Sequence, residues 1–330
     1  MNESGFVQYL DGLMEGYQRA QILITALRAG VFGLVEEGRD ADGVAEALGW
    51  SPKGARMLLD GLVALELVEK KGGTTYRSAP IAVQCLLPGA PTDQTHILEH
   101  KAYGWHTWAR LEEAVRTGTG LPRDRKRRSP DELRAFICGM DDIARLSARS
   151  ILEAVDLSPY RRLLDLGAGP GTYAVAFLQA HDAMRATLFD VPDVIPIARE
   201  QVEAAKLEKR VEYVSGDMTS ASLEPGHDLI LISNIIHSFS SGTNSDLVRR
   251  CHEALAPGGL LIIKDFLLDP GRTGPPFGLI FALHMLIHTE AGDTYTQEEV
   301  AGWTTEAGFP PGELIDLSPQ SRLWLVRKAE

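Results

Sequence analysis

The stretch LLDLGAGPGTYAVAFL, Leu163–Leu178, decides how this chain is read. An apolar run of strand length ends in glycines at alternate positions, Gly167, Gly169 and Gly171, and then continues in a helical pattern. Glycines in a strand-to-helix turn admit positive φ and let a ligand come close to the backbone. Three ligands are open at this point: a dinucleotide, a nucleoside triphosphate and a sulfonium nucleoside.

Spacing narrows the choice. A triphosphate cradle needs Lys and then Ser or Thr after the last glycine, whereas Gly171 is followed by Thr172 and Tyr173. The dinucleotide fingerprint is G-x-G-x-x-G, and here the spacing is G-x-G-x-G with Asp165 two places before the first glycine. A carboxylate there repels a pyrophosphate and offsets a positive charge, so the pattern favours a ligand with a cationic amino-acid portion. Asp190 ends the next apolar run, RATLFD, 25 residues after Asp165. Its two oxygens suit vicinal ribose hydroxyls. Asp217 and Met218 follow the third run, in SGDM. A carboxylate that reads an exocyclic amine, beside a flexible thioether that covers a flat ring, suits adenine.

The surrounding grammar is α/β. RRLLDL, RATLFD, RVEYVS, DLILIS and LLIIKDF are short apolar runs suited to buried parallel strands, with helical segments at Asp193–Lys206 and Asn244–Leu255 between them. Such alternation predicts an open doubly wound sheet that binds ligands beyond the carboxyl ends of its strands. The first half reads as helices instead. Leu10, Leu13, Met14, Tyr17, Ile24 and Leu27 keep one helical stripe. Asp40 or Asp42 and Ser51 stand at capping positions, Pro52 at a first helical position, and Gly72-Gly73 inside a short hairpin. This order is that of a winged-helix unit. Its candidate recognition helix offers only Lys53 and Arg56 against Asp60 and Glu66, and its wing Lys70, Lys71 and Arg77, which is thin for a phosphate-neutralising surface. A second helical block covers His96–Thr117 and Pro130–Val155.

Composition restricts the function classes. The chain has 330 residues and a net charge of −12, so it carries no general attraction to nucleic acid or anionic membranes. The exception is a basic cluster at Arg123–Arg128, read as a solvated loop. Cys85, Cys138 and Cys251 have no metal or redox spacing and fit a reducing compartment. The N-terminus lacks the pattern of a signal peptide, and FGLIFALHMLI is too short to span a bilayer, so a soluble cytoplasmic protein is expected.

The chain as a whole resembles the class I S-adenosylmethionine-dependent O-methyltransferases of the hydroxyindole, caffeate and bacterial polyketide type. The resemblance is carried by LLDLGAGPG, LFDVPDVI, SGDM, ILISNIIHSF, ALAPGGLLIIKDF and HMLIHTEAGDTYTQEEVAGWTTEAGF. It implies a Rossmann-like, doubly wound, seven-stranded methyltransferase sheet at residues 159–330. It also implies a mainly α winged-helix dimerisation domain at 1–95 and a helical connector at 96–158 that contributes to the substrate pocket. The cofactor would be S-adenosylmethionine and its product S-adenosylhomocysteine. Asp165, Gly167, Gly169, Gly171, Asp190, Val191, Asp217, Met218 and Ser233 would bind it. Met140, Asn234, Met285, His288 and Thr289 would line the site of a small, mostly aromatic acceptor. His237 would be the general base for the acceptor hydroxyl and Asp265 would orient it. A homodimer is expected, without nucleic acid, membrane or metal. His284 and His288, four residues apart, share a helix face, but no third ligand is evident.

The chain also departs from the family. His237 is followed by Ser238-Phe239 where Asp-Trp is common, and a family acid position aligns with Thr294. The acid network around the base is therefore thinner. Carbon or sulfur as the acceptor atom, a non-methylating use of the cofactor and a ligand-sensing regulator stay open as alternatives.

Overall fold

The computed structural model describes residues 2–90, 92–121 and 130–330, so the basic cluster Arg123–Arg128 lies outside the described residues. The chain divides into two compact units, Met1–Ala102 and Tyr103–Glu330.

In the first unit, the helices Ala41–Leu48 and Pro52–Ala64 start where their caps stand. Asp40 accepts from the Gly43 N–H at 2.8 Å and Ser51 from the Gly54 N–H at 3.1 Å. Strands β1 (Arg39–Asp40), β2 (Val68–Lys71) and β3 (Thr75–Ser78) form an antiparallel sheet in the order β1-β3-β2. Its hairpin turns through Gly72 and Gly73, both with positive φ. Phe32, Leu59, Leu62 and Tyr76 fill the core. Asp60 takes hydrogen bonds from Arg56 at 3.0 Å, Lys70 at 2.7 Å and Tyr76 at 2.8 Å, so two of the few cations on this face are already engaged. The first helix, Glu3–Arg28, packs Ile22, Leu23, Ala26 and Leu27 on this core, while Leu10, Leu13, Met14 and Tyr17 stay exposed.

The second unit holds a seven-stranded sheet: β4 (Arg162–Leu166), β5 (Arg185–Asp190), β6 (Val211–Ser215), β7 (His227–Ser233), β8 (Leu255–Asp265), β9 (Glu313–Ser318) and β10 (Ser321–Arg327). The order is β6-β5-β4-β7-β8-β10-β9; the first five pair in parallel, and β10 pairs antiparallel with both β8 and β9. The five apolar runs of the sequence are the five parallel strands; the last two strands form a C-terminal hairpin. From β4 the chain steps first to one side and then to the other, which opens a crevice at the ends of β4 and β7.

Both faces of the sheet are covered. Leu163, Leu229, Leu231 and Ile262 pack with Ile151, Phe177 and Leu178 on one face. Leu164, Ile230, Ile232 and Ile263 pack with Leu247, Val248 and Trp303 on the other. Each such side chain contributes about 1.5–3 kcal/mol on burial. The helix Ser241–Ala254 starts before the Asn244 read from the sequence, because Ser240 caps it by accepting from the Thr243 N–H at 3.2 Å. The block at 96–117 is three short helices, Thr95–Tyr103, Trp105–Trp108 and Leu111–Thr117, and the helix Pro130–Ala154 follows. Among the described residues, no helix is long and apolar enough to cross a membrane.

Candidate active site

The glycine turn leaves β4 with φ of 72°, 54° and 80° at Gly167, Gly169 and Gly171. The three positions are constrained differently. A Cβ at Gly167 would lie 2.4 Å from Ile235 Cδ1, and one at Gly171 would lie 2.8 Å from Leu188 Cδ2. One at Gly169 would meet no atom within 4 Å. At the outer glycines a side chain would have to shift to admit a Cβ, on top of the positive φ that all three share, and the middle one faces open space.

Asp190, at the end of β5, accepts from the Gly169 N–H at 2.8 Å and from the Val191 N–H at 2.7 Å. It does not cap the next helix, which starts at Ile195 after Val194. Burial raises its carboxyl above the ordinary value, against the lowering effect of those two N–H groups. Asp165 is fully buried on β4, and its Oδ2 has no hydrogen-bond partner among the described residues. Burial and then the nearby charge of Asp190 push it up to about 7, opposed by the Ala174 N–H. Asp217 is exposed after β6 and closes a turn by accepting from Thr219 N and Oγ1 at 2.9 and 2.7 Å; these bonds lower its carboxyl. Met218 is buried, its Cε 3.1 Å from where a Gly167 Cβ would stand. Val191 is exposed beside Asp190.

At the end of β7, Ser233 is buried, and its hydroxyl has no hydrogen-bond partner among the described residues. Asn234 follows in the left-handed region with φ 55°, and a 3-10 turn, Ile236–Ser238, carries His237. His237 Nδ1 lies 2.8 Å from Asp265 Oδ1 at the end of β8, and both residues are buried. The same Asp265 oxygen accepts from the Phe266 N–H at 2.8 Å. Burial raises the Asp265 carboxyl, but the His237 charge and hydrogen bond, the Phe266 N–H and Lys264 outweigh it and hold the carboxyl below its usual value. An ionised Asp265 only accepts, so Nδ1 is the nitrogen that donates to it, and in the neutral imidazole this tautomer leaves the lone pair on Nε2. Nε2 makes no hydrogen bond among the described residues. Phe266 stacks on the imidazole with centroids 5.8 Å apart, and the Phe281 edge approaches to 5.0 Å.

The backbone of the His237 turn is tied down from behind. The buried Asn244 donates to the Ile236 carbonyl at 2.8 Å, and the Tyr295 hydroxyl donates to the Phe239 carbonyl. Burial, helped by Asp293 and Glu299, pushes the Tyr295 phenol up to about 12, which keeps it a donor. Thr294 donates its hydroxyl to the Gly278 carbonyl at 3.1 Å.

The other expected acceptor residues separate into two groups. On the helix Pro276–His288, Phe281, His284 and His288 continue the aromatic surface from His237. Their centroids are 5.3 Å apart for Phe281 and His284, and 4.1 Å for His284 and His288. Trp108 donates to His284 Nδ1 at 3.2 Å. Neither histidine belongs to a three-residue ligand group among the described residues. Met285 is buried on the same helix, and Thr289 ends it by donating to the Met285 carbonyl at 2.7 Å. Met140 is half-buried on the helix Pro130–Ala154, next to Asp141, which accepts from Thr172 at the start of the helix after the glycine turn. Asn234 turns its side-chain oxygen to Lys264 Nζ at 3.0 Å. Reading the sequence missed Lys264, Asn244 and Tyr295. Only Lys264 leaves a signal, a cation inside the apolar run LLIIKDF.

Comparison with known proteins identifies the family. The chain matches the O-methyltransferase domain over residues 108–310 and the O-methyltransferase dimerisation domain over residues 12–87. It is 32% identical to the tetracenomycin polyketide synthesis 8-O-methyltransferase TcmO of Streptomyces glaucescens, over 86% of each chain. It is also 32% identical to the acetylserotonin O-methyltransferase of Bos taurus, over 89% of this chain and 90% of that one. The crystal structure of human N-acetylserotonin methyltransferase in complex with S-adenosylmethionine superposes with a TM-score of 0.90 at 28% identity, over 100% of this chain and 99% of that chain. The chain belongs to the family of S-adenosylmethionine-dependent O-methyltransferases that carry an N-terminal dimerisation domain.

Proposed function

We propose that the chain methylates a phenolic hydroxyl of a small aromatic molecule, with His237 as the general base. The observation that carries this reading is the His237–Asp265 pair at 2.8 Å, set among Phe266 and Phe281 with Nε2 left unbonded among the described residues.

The residues present fit S-adenosylmethionine. The open space at Gly169 is a cradle that any Cβ would fill. Asp165 is a buried carboxylate short of a cation, and the Ser233 hydroxyl is an orphaned donor at the neighbouring strand end. Gly167, Gly169 and Gly171 would hold the methionine portion, Asp190 the ribose beside Val191, and Asp217 with Met218 the adenine. When bound, this group supplies an electrophilic methyl on a sulfonium that leaves as a neutral thioether. The chain has two tasks left. Asp265 fixes the ring and tautomer of His237 by accepting from Nδ1–H. Nε2 then takes the proton from the acceptor hydroxyl as its oxygen forms the new bond to carbon. Met140, Met285, His288 and Thr289 line the acceptor side, where the aromatic surface from Phe281 to His288 suits a flat ring.

We assign residues 1–95 to dimerisation, 96–158 to a connector that contributes to the pocket and 159–330 to cofactor binding. The exposed Leu10, Leu13, Met14 and Tyr17 on one helix favour a homodimer. We place the chain in the cytoplasm, a reducing compartment that suits the free Cys85, Cys138 and Cys251.

Two measurements test the reading. Isothermal titration of the folded protein with S-adenosylhomocysteine should show saturable binding; its absence overturns the cofactor assignment. His237→Ala, assayed with a phenol panel at saturating cofactor, should lose about 10²–10⁴ in turnover, the range of general-base catalysis. Turnover within a factor of about two of the wild type removes His237 from that role.

A further inference from the structure

Lys264 is 1% exposed, at the end of β8, immediately before Asp265. Burial of an ammonium is costly and needs hydrogen-bonded compensation. Among the described residues Nζ has one acceptor, Asn234 Oδ1 at 3.0 Å. The contact is reciprocal, because the Asn234 N–H donates to the Lys264 carbonyl at 2.8 Å. Asn234 is the residue where β7 stops and the chain bends through φ 55°. Outside glycine this region costs about 1–2 kcal/mol, and Asn tolerates it best. Three residues later stands His237, bonded to Asp265. The neighbours Lys264 and Asp265 thus hold the two ends of one short turn, Lys264 at its first residue and Asp265 at its last. The far side of that turn rests on Asn244 and Tyr295, while side-chain contact at its entry comes from Lys264.

We infer that Lys264 is a positioning residue for the methyl transfer, acting through Asn234 to fix the turn that aims the His237 Nε2. The inference rests on the reading of His237 as the base. It accounts for a buried cation that the sheet core does not need, and it gives Asn234 a task other than touching the acceptor. The same turn carries Ile235, which occupies the space denied to a Cβ at Gly167. A loosened turn would therefore disturb the base first and the cofactor side second.

The test is a double-mutant cycle on the full-length protein. Lys264→Met keeps length and removes the charge; Asn234→Gly keeps the left-handed bend and removes the acceptor. Each single variant should lower kcat about tenfold, with KM for donor and acceptor within about twofold, and the double variant should be no slower than the worse single one. Asn234→Asp, which keeps an oxygen for Nζ, should restore most of kcat. Proton NMR gives a readout independent of turnover: the downfield imidazole N–H signal that His237→Ala abolishes should weaken or exchange faster in both single variants. Unchanged kcat and NMR signal in both variants, losses that multiply in the double variant, or a loss carried by KM overturns the proposal. If Lys264→Met fails to fold, Asn234→Gly and Asn234→Asp decide alone. Should His237→Ala stay active, the reading of the base has failed, and the NMR signal still decides whether Lys264 holds the turn.

Discussion

Nδ1 of His237 and Oδ1 of Asp265 lie 2.8 Å apart although 28 residues separate them in the chain. Each stands just beyond or at the end of one of two adjacent parallel strands, so the sheet register brings them together. The result is a histidine with one fixed nitrogen and one available nitrogen. Asp265→Asn tests this relationship directly. The amide can present its NH₂ to Nδ1 and so select the tautomer in which Nε2 already carries the proton. We expect turnover to fall by about 10²-fold or more, as in the loss of a general base, with S-adenosylhomocysteine affinity kept. Steady-state kinetics and titration calorimetry on the same preparation check it; wild-type turnover would remove Asp265 from its orienting role.

Asp165 should make the stability of the ligand-free protein depend on pH. Its carboxyl is raised from 3.8 to about 7 in the fold. A raised acid keeps its proton longer when folded, so its contribution to stability falls as pH climbs from about 4 to 7 and stays low above that. Asp165→Asn lacks this loss. In the absence of ligand it should melt above the wild type at pH 8, and the difference should shrink toward pH 5. The same variant should bind the cationic cofactor more weakly. Thermal melts across pH and one titration at pH 8 suffice, and a melting difference that does not depend on pH would show that Asp165 is not the responsible group.

Gly169→Ala separates stability from binding. The new Cβ meets no protein atom within 4 Å, so the only structural cost is the positive φ of 54°. That cost is about 1–2 kcal/mol. If the turn is the cofactor cradle, affinity for S-adenosylhomocysteine should drop at least about tenfold while the fold survives. Calorimetry beside a melting curve reads both, and intact affinity would mean that the open space at Gly169 does not face the ligand.

Much of the site was legible in the chain because its parts are local. Asp165 and the three glycines sit within seven residues, and Asp190 and Asp217–Met218 each end an apolar run. Strand ends of a parallel sheet gather at one edge, so residues at those ends can be grouped without coordinates. The helix caps Asp40 and Ser51 were equally local. Ser240 was not recognised, and the Asn244 helix boundary was misplaced for that reason. The final hairpin β9–β10 is not among the strands read from the sequence, although β10 carries a largely buried apolar run, Leu323–Val326; its place depends on antiparallel pairing of β10 to β8 and of β9 to β10, which is a long-range property.

The sequence by itself determined the two-part organisation, the parallel core and the residues at its strand ends, since hydrophobic period and turn chemistry are short-range properties. Only the tertiary structure decided what each polar side chain does. It turned Thr294 to the Gly278 carbonyl, gave Asn234 to Lys264 and put Tyr295 behind the His237 turn. A buried donor must find an acceptor, and which acceptor lies within reach depends on chain segments that meet only when the sheet is assembled.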